Sequence, residues 1–180
     1  MSLNQLPTNR NFLNPSGYMF AINRLPGTTL MCQRVKMPDL TLKAIHTPNP
    51  FNKLNYSASS ADYGTLKITF KVDEDMANYL EIMNWMTGLG FPNDFKQYKD
   101  LKDNVTGNAG IRSDASLVIY DSSKNANMEA VFRDCFPEEL SDFEMYSTST
   151  EAPWIMATAA FSIRDFSVRK FNAPITAEDA

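Results

Sequence analysis

The chain has a single histidine, His46, among 180 residues. Nucleophilic triads and histidine-rich metal sites depend on that residue type. His46 stands beside the run Thr47-Pro48-Asn49-Pro50 and reads as a solvated loop residue. Cysteine is equally scarce. Cys32 and Cys135 form no close-spaced pair, so no zinc or redox motif is read. The N-terminal stretch MSLNQLPTNRNFLNPSG lacks a basic region followed by an apolar one. No export signal is read there, and free thiols are the expectation. The seven glycines build neither a phosphate-cradling loop nor a dinucleotide fingerprint. No apolar run approaches the ~20 residues of a membrane helix. The net charge is −4, and Lys36, Lys43 and Lys53 are scattered. That balance argues against tight binding to DNA or to an anionic membrane. The carboxylates Asp73, Glu74 and Asp75 read as a helix start, and Glu138-Glu139 as a solvated turn. Nothing in this inventory calls for a cofactor, a metal or an enzyme.

What the chain does have is periodicity, centred on Thr65 to Gly90. Leu66, Ile68, Phe70 and Val72 alternate with Thr65, Lys67, Thr69 and Lys71. A strand with one buried and one wet face follows. At Asp73 the period becomes helical. Asp73 suits an N-cap, with Glu74 and Asp75 in the first turn. Met76, Tyr79, Leu80 and Met83 then share one face, and Gly88, Gly90 and Pro92 mark the end. Ile82, Trp85, Met86 and Leu89 lie outside that stripe, so the apolar arc is wider than one core contact requires. Either a loop covers the surplus or another subunit does, since Trp and Met are favoured at interfaces.

Around this unit the remaining segments read as strands and turns. Residues 1–16 are an Asn- and Pro-rich arm. Tyr18 to Ile22 alternates, Pro26-Gly27 suits a turn, and Leu30 to Val35 reads as a return strand, giving a hairpin. Thr41 to Ile45 is a further short strand. Pro48 to Tyr63 is long, polar and tipped with Phe51, Tyr56 and Tyr63. It reads as an extended hairpin reaching a neighbouring subunit, or else as a surface loop. A short helical turn followed by irregular chain is expected from Phe91 to Gly110. Ala115 to Tyr120 and Met128 to Arg133 flank a turn at 121–127 and form a second hairpin. Phe136-Pro137 interrupts, Glu138 to Ser141 turns, and Phe143 to Ser147 is a strand. The last long strand carries Ala157, Ala159, Phe161 and Ile163. Its apolar parity slips at Phe166 and Val168, which predicts a bulge near Arg164-Asp165. The fold class is mainly β with some α. It is an antiparallel β-sandwich or barrel with one flanking helix, a long hairpin or loop and an extended N-terminal arm. The single domain spans 17–170, and 171–180 is a polar tail.

The segment LKITFKVDEDMANYLEIMNWMTGL ends a strand in an acidic turn and opens a helix of the form Y-x-x-I-x-x-W-M-x-x-L. SDASLVIYD, VFRDCFPEELS and AAFSIRDFSV follow in that order. In order and spacing these pieces resemble the tail-tube proteins of contractile-tailed bacteriophages, over roughly residues 17–170. The resemblance implies a structural protein without enzymatic activity. It implies hexameric rings, stacked as a hollow cylinder inside a contractile sheath, whose inner strands combine across subunits into a continuous β-barrel. The implied partners are further copies of the chain and the sheath, baseplate and tape-measure proteins. DNA would pass through the lumen without specific binding. The particle would be a virion assembled in the host cytoplasm. Phe51, Tyr56, Tyr63, Ile82, Trp85 and Met86 are the candidate subunit-interface residues. A tube-initiating baseplate protein and the tube protein of a bacterial injection system share the resemblance. A small-molecule-binding β-barrel module is the alternative from a different class.

Overall fold

Alternation at 65–72 does what its period dictates. Strand Leu66–Lys71 buries Leu66, Ile68 and Phe70 completely, while Lys67 stays in water. A computed structural model describes residues 11–48, 51–90, 95–96, 98–99, 111–145, 147 and 154–171. In chain order the elements are β1 (Tyr18–Ile22), α1 (Pro26–Met31), β2 (Cys32–Lys36), β3 (Leu40–Pro48) and β4 (Lys53–Tyr63). Then come β5 (Leu66–Lys71), α2 (Ala77–Gly90), β6 (Ser113–Tyr120), β7 (Ala126–Leu140), β8 (Met156–Ser162) and β9 (Asp165–Lys170).

Seven strands form one antiparallel sheet in the order β1-β6-β7-β8-β5-β2, with β9 also on β7. Strand β7 is its spine. One edge of β7 carries β6, and the other carries β9 along Met128–Arg133 and then β8 along Phe136–Leu140. Large and small side chains face each other across the ladder. Leu66 opposes Phe161, but Ile68 opposes Ala159, Phe70 opposes Ala157, Leu117 opposes Ala130 and Ala115 opposes Phe132. All are buried and belong to one core. Alternating large with small fills the layer without voids or overlap.

The ends of the sheet, β1 and β2, face each other across an open groove of about 600 Å³ lined by Tyr18, Met19, Phe20, Thr29, Cys32 and Gln33. The barrel is therefore split on that side. The expected β1–β2 hairpin does not form. Pro26 occupies the first turn of α1, where a proline costs no hydrogen bond. Helix α1 then carries the chain across the groove, so β1 pairs β6 and β2 pairs β5.

Helix α2 is rotated away from the expected stripe. Its buried residues are Asn78, Ile82, Trp85 and Gly88, while Leu80 and Met83 are exposed. Asn78 explains the rotation. Its amide donates to the Lys71 carbonyl at 2.8 Å, and its Oδ1 accepts the Asp73 N–H at 3.3 Å. This pins the helix start to the end of β5. Asp73 does not cap the helix. Its Oδ1 accepts the Glu74 N–H at 2.9 Å, and Met76, at φ 54°, redirects the chain before Ala77. Glu74 and Asp75 thus precede the first helical turn.

Three further segments differ from expectation. Strand β7 runs through Phe136-Pro137 and on to Leu140, where a turn was expected. Pro137 lies beyond the end of β6 and beside a bulge, a setting that tolerates a missing donor. Phe143 to Met145 is not a strand. The parity slip is a break at Ile163-Arg164, after which β9 continues along the same edge of β7. The turn after β6 is as expected: Asp121 Oδ1 accepts the N–H groups of Ser123 and Asn125. Of the Phe91–Gly110 segment, residues 95–96 and 98–99 are helical and the others lie outside the described residues. So do residues 1–10 of the arm and all of the tail after Phe171.

Candidate assembly surface

The long polar segment is one arm of a hairpin and not a whole one: it supplies β4, and the other arm is β3, expected as a separate short strand. Strands β3 and β4 pair with each other antiparallel, matching Leu40 to Tyr63, Ile45 to Tyr56 and Thr47 to Leu54, and with no other described strand. Pro48 makes the last described pair of the ladder, with Lys53. Ile45, Leu54 and Tyr56 share one face of this ribbon. Leu40 and Leu42 lie on the other by strand parity. All five are exposed, and Phe51 at the tip is 96% exposed. An isolated two-stranded ribbon is marginal in water. One that also displays apolar side chains on both faces gains most from being covered. The ribbon is tied to the domain at its base, where Tyr63 stacks edge-on against Phe166 at 5.7 Å.

A second feature is the set of unused strand edges. Among the described residues β1 pairs only β6, β2 only β5 and β9 only β7, so each offers a free row of backbone donors and acceptors. Such edges are templates for another chain unless blocked. Arg34 and Lys36 place charge on β2, whereas β1, YMFAI, carries none.

The named interface candidates divide. Phe51 and Tyr56 are exposed on the ribbon, and Tyr63 is partly covered at its base. Ile82 and Trp85 are 0% and 1% exposed inside the protomer's own core, so neither presents surface to a neighbour. Trp85 packs 6.1 Å from Phe161, lies under Arg24 at 5.0 Å and donates its indole N–H to the Ile111 carbonyl at 3.0 Å. Met86 is half-buried against the same core. The exposed apolar residues of α2 are instead Leu80 and Met83. Sequence reasoning also passed over Trp154 and Met145, both exposed beside the start of β8. The signal for Trp154 was a lone indole in an otherwise polar loop.

Chemistry is sparse. His46 is exposed, with Nδ1 2.7 Å from Asn55 Oδ1. No three His, Cys, Asp or Glu groups converge among the described residues. Both cysteines are free thiols. Burial pushes Cys32 up to about 11, and burial together with Asp114 pushes Cys135 up to about 12, so both stay protonated near neutrality. No helix among the described residues is long and apolar enough to cross a membrane.

Comparison with solved structures finds this architecture in contractile injection systems. A chain of the anti-feeding prophage tube-terminating cap superposes with a TM-score of 0.60 at 9% identity, covering 95% of this chain and 100% of that one. A chain of an extracellular contractile injection system (PVC) sheath–tube complex in the extended state gives 0.58 at 9%, covering 90% and 94%. A chain of the anti-feeding prophage baseplate gives 0.56 at 12%, covering 84% and 90%. The chain has the tail-tube fold. At these identities the likeness is one of architecture, and no residue roles transfer with it. No family model matches the sequence, and no curated protein does. Within the tail-tube fold, the ribbon and the free edges of this chain are its candidate assembly surface.

Proposed function

We propose that this protein is a structural subunit of a contractile tail or injection apparatus. Copies associate into rings, and the rings stack into a hollow tube. The observation that carries this reading is the β3–β4 ribbon, an element with exposed apolar surface on both faces that pairs with no further strand among the described residues. The free edges of β1, β2 and β9 support it, because pairing between copies would remove them. The tail-tube fold supports it as well. The role is one of assembly and calls for no catalytic centre. The first reading is the tube of a phage tail, with hexameric rings whose lumen conducts DNA. Sheath, baseplate and tape-measure proteins would be its partners, and the virion its location, after assembly in the host cytoplasm. A second reading is a ring made once per particle, at the start or end of a tube. It is favoured by the likeness to baseplate and cap chains. Copy number per particle separates the two.

Electron microscopy of the purified protein over a range of concentrations tests the proposal. Rings or short tubes are the expected result. A monomer at every concentration, with ribbon amides protected from hydrogen exchange, would overturn it.

A further inference from the structure

The outward faces of the sheet carry charge in two different ways. Across β7 and β9, Glu129 stands directly opposite Arg169 and Arg133 opposite Asp165. Both couples form ion pairs, at 2.9 and 3.7 Å. Across β2 and β5 no such matching occurs. Leu66, Ile68 and Phe70 point into the core, so Lys67, Thr69 and Lys71 point outward. The register puts Lys36 directly opposite Lys67, and Arg34 opposite Thr69, on that same face. Arg34, Lys36 and Lys67 are exposed, and none of them is ion-paired among the described residues. Lys71 follows, its Nζ 3.4 Å from the Trp154 ring centroid, beside an apolar groove beyond the end of β5. Strand β8 adds the short side chains of Ala160 and of Thr158, whose hydroxyl meets that of Thr69 at 3.2 Å. Across the row from Lys67 and past Ala160 stands the carboxylate of Glu139, about 10 Å away at two strand spacings.

Like charges directly opposite each other across a ladder repel, so the Lys36–Lys67 couple costs stability. Charge on an edge strand such as β2 keeps stray strands away. That does not account for Lys67, because β5 is paired on both sides and has no edge to guard. A counter-charge from outside the protomer does account for it. Single-stranded nucleic acid gains much of its affinity by stacking on aromatic rings. The row of Arg34, Lys36, Lys67, Thr69, Thr158 and Ala160 offers none. A long duplex would overhang the rest of the surface, which is more acidic than the −4 of the whole chain. A short acidic protein segment touches the cations alone. When it is extended, its alternate carboxylates repeat every ~6.6 Å, as do Arg34 and Lys36 two residues apart on β2.

We propose that the outward face of β2 and β5 binds an extended acidic segment of a partner protein, its carboxylates set against Arg34, Lys36 and Lys67. The Thr69–Thr158 couple uses one hydroxyl hydrogen internally and has the other to donate. The site does not depend on the assembly reading. It uses a sheet face, whereas rings and stacks would use the strand edges and the ribbon.

Fluorescence anisotropy of the full chain with a fluorescein-labelled peptide of alternating Glu and Thr tests it. The wild type is expected to bind the peptide at low ionic strength and to release it as salt rises. The same peptide with Gln in place of Glu should not bind. K36Q/K67Q is expected to weaken binding at least several-fold. Its urea midpoint should stay level or rise, because the repelling couple is gone. K170Q removes an exposed cation from β9 and is expected to bind as the wild type does. Should the double variant unfold early, R34Q decides in the same assay, with a several-fold loss expected. Failure of the wild type to bind the Glu peptide would overturn the proposal, as would full binding by K36Q/K67Q or R34Q. A K170Q loss equal to that of K36Q/K67Q would overturn it too, since the attraction would then belong to no particular face. A short labelled DNA duplex that binds more tightly than the peptide, and is released by K36Q/K67Q, would make the face a nucleic-acid site instead.

Discussion

Replacing Trp85 with alanine separates the core face of α2 from its exposed face. Trp85 is 1% exposed and packs on Phe161. A buried Trp removes ~200 Å² from water, which at ~25 cal/mol per Å² corresponds to about 5 kcal/mol. Alanine keeps a small part of that, and the cavity collapses incompletely, so a cost of about 4 kcal/mol is expected. The Ile111 carbonyl also loses its indole donor, which adds ~1 kcal/mol. W85F keeps most of the packing and lacks the donor, so its expected cost is about 1–2 kcal/mol. Met83 lies on the opposite side of α2 and is about half exposed. M83A should therefore cost ~1 kcal/mol or less. Urea unfolding followed by far-ultraviolet circular dichroism is the suitable assay, because W85A deletes one of the two tryptophans that fluorescence would report. The order expected is W85A, then W85F, then M83A. A W85A cost below 1 kcal/mol, or an M83A cost equal to it, would refute the assignment of the buried face.

The remaining predictions concern the helix anchor and the thiols. N78A removes the bond from the helix start to the last residue of β5 and the one to Asp73 in the turn, and leaves a partly buried carbonyl without its donor, so a loss of about 1–3 kcal/mol is expected. Hydrogen exchange should show it first as faster opening of α2. Cys135 holds its proton up to about 12 when folded, against 9.0 ordinarily. A group whose folded pKa is raised contributes stability that is complete below its unfolded pKa and lost as pH rises through the folded one. Stability should therefore be level up to about pH 8 and fall between pH 9 and 12, and C135A should flatten that decline. A wild-type denaturation midpoint that is unchanged from pH 8 to pH 11 would count against this.

The legible parts of the fold were those fixed by local chemistry. Strand β5 followed from its period and the 121–127 turn from its run of turn-forming residues, while the ribbon was read only in part, because its first arm, β3, looked like a separate short strand. The parity slip at Phe166 marked the right place but not the right irregularity: a bulge was expected, and the strand breaks into β8 and β9 there. The rotation of α2 was not legible, because apolar residues line more than one side of it. A polar residue, Asn78, decided between them through bonds to a strand that sequence spacing does not reveal. The same gap misdirected Ile82 and Trp85 toward an interface. Pairing partners were also hidden. Tyr18–Ile22 and Cys32–Lys36 look like neighbours along the chain, yet α1 carries them to opposite ends of the sheet. At Pro137 a local rule was overridden by position, since β7 has no β6 partner there. Of the assembly surface, the ribbon tip was visible as aromatics in a polar run. The apolar groove beyond Lys71 was not, since its walls come from four separated stretches of chain.

Strand β8 sits between β5 and the end of β7. The Thr69 and Thr158 hydroxyls that meet across its ladder are 89 residues apart in the chain. The middle of the sheet is thus supplied by a segment far along the chain from β5. Until β8 is made, β5 and the end of β7 lack their shared neighbour, and such long-range closure is slow. A nascent chain therefore holds the β8-facing edge of β5 open while it waits, and that edge must be kept from other chains.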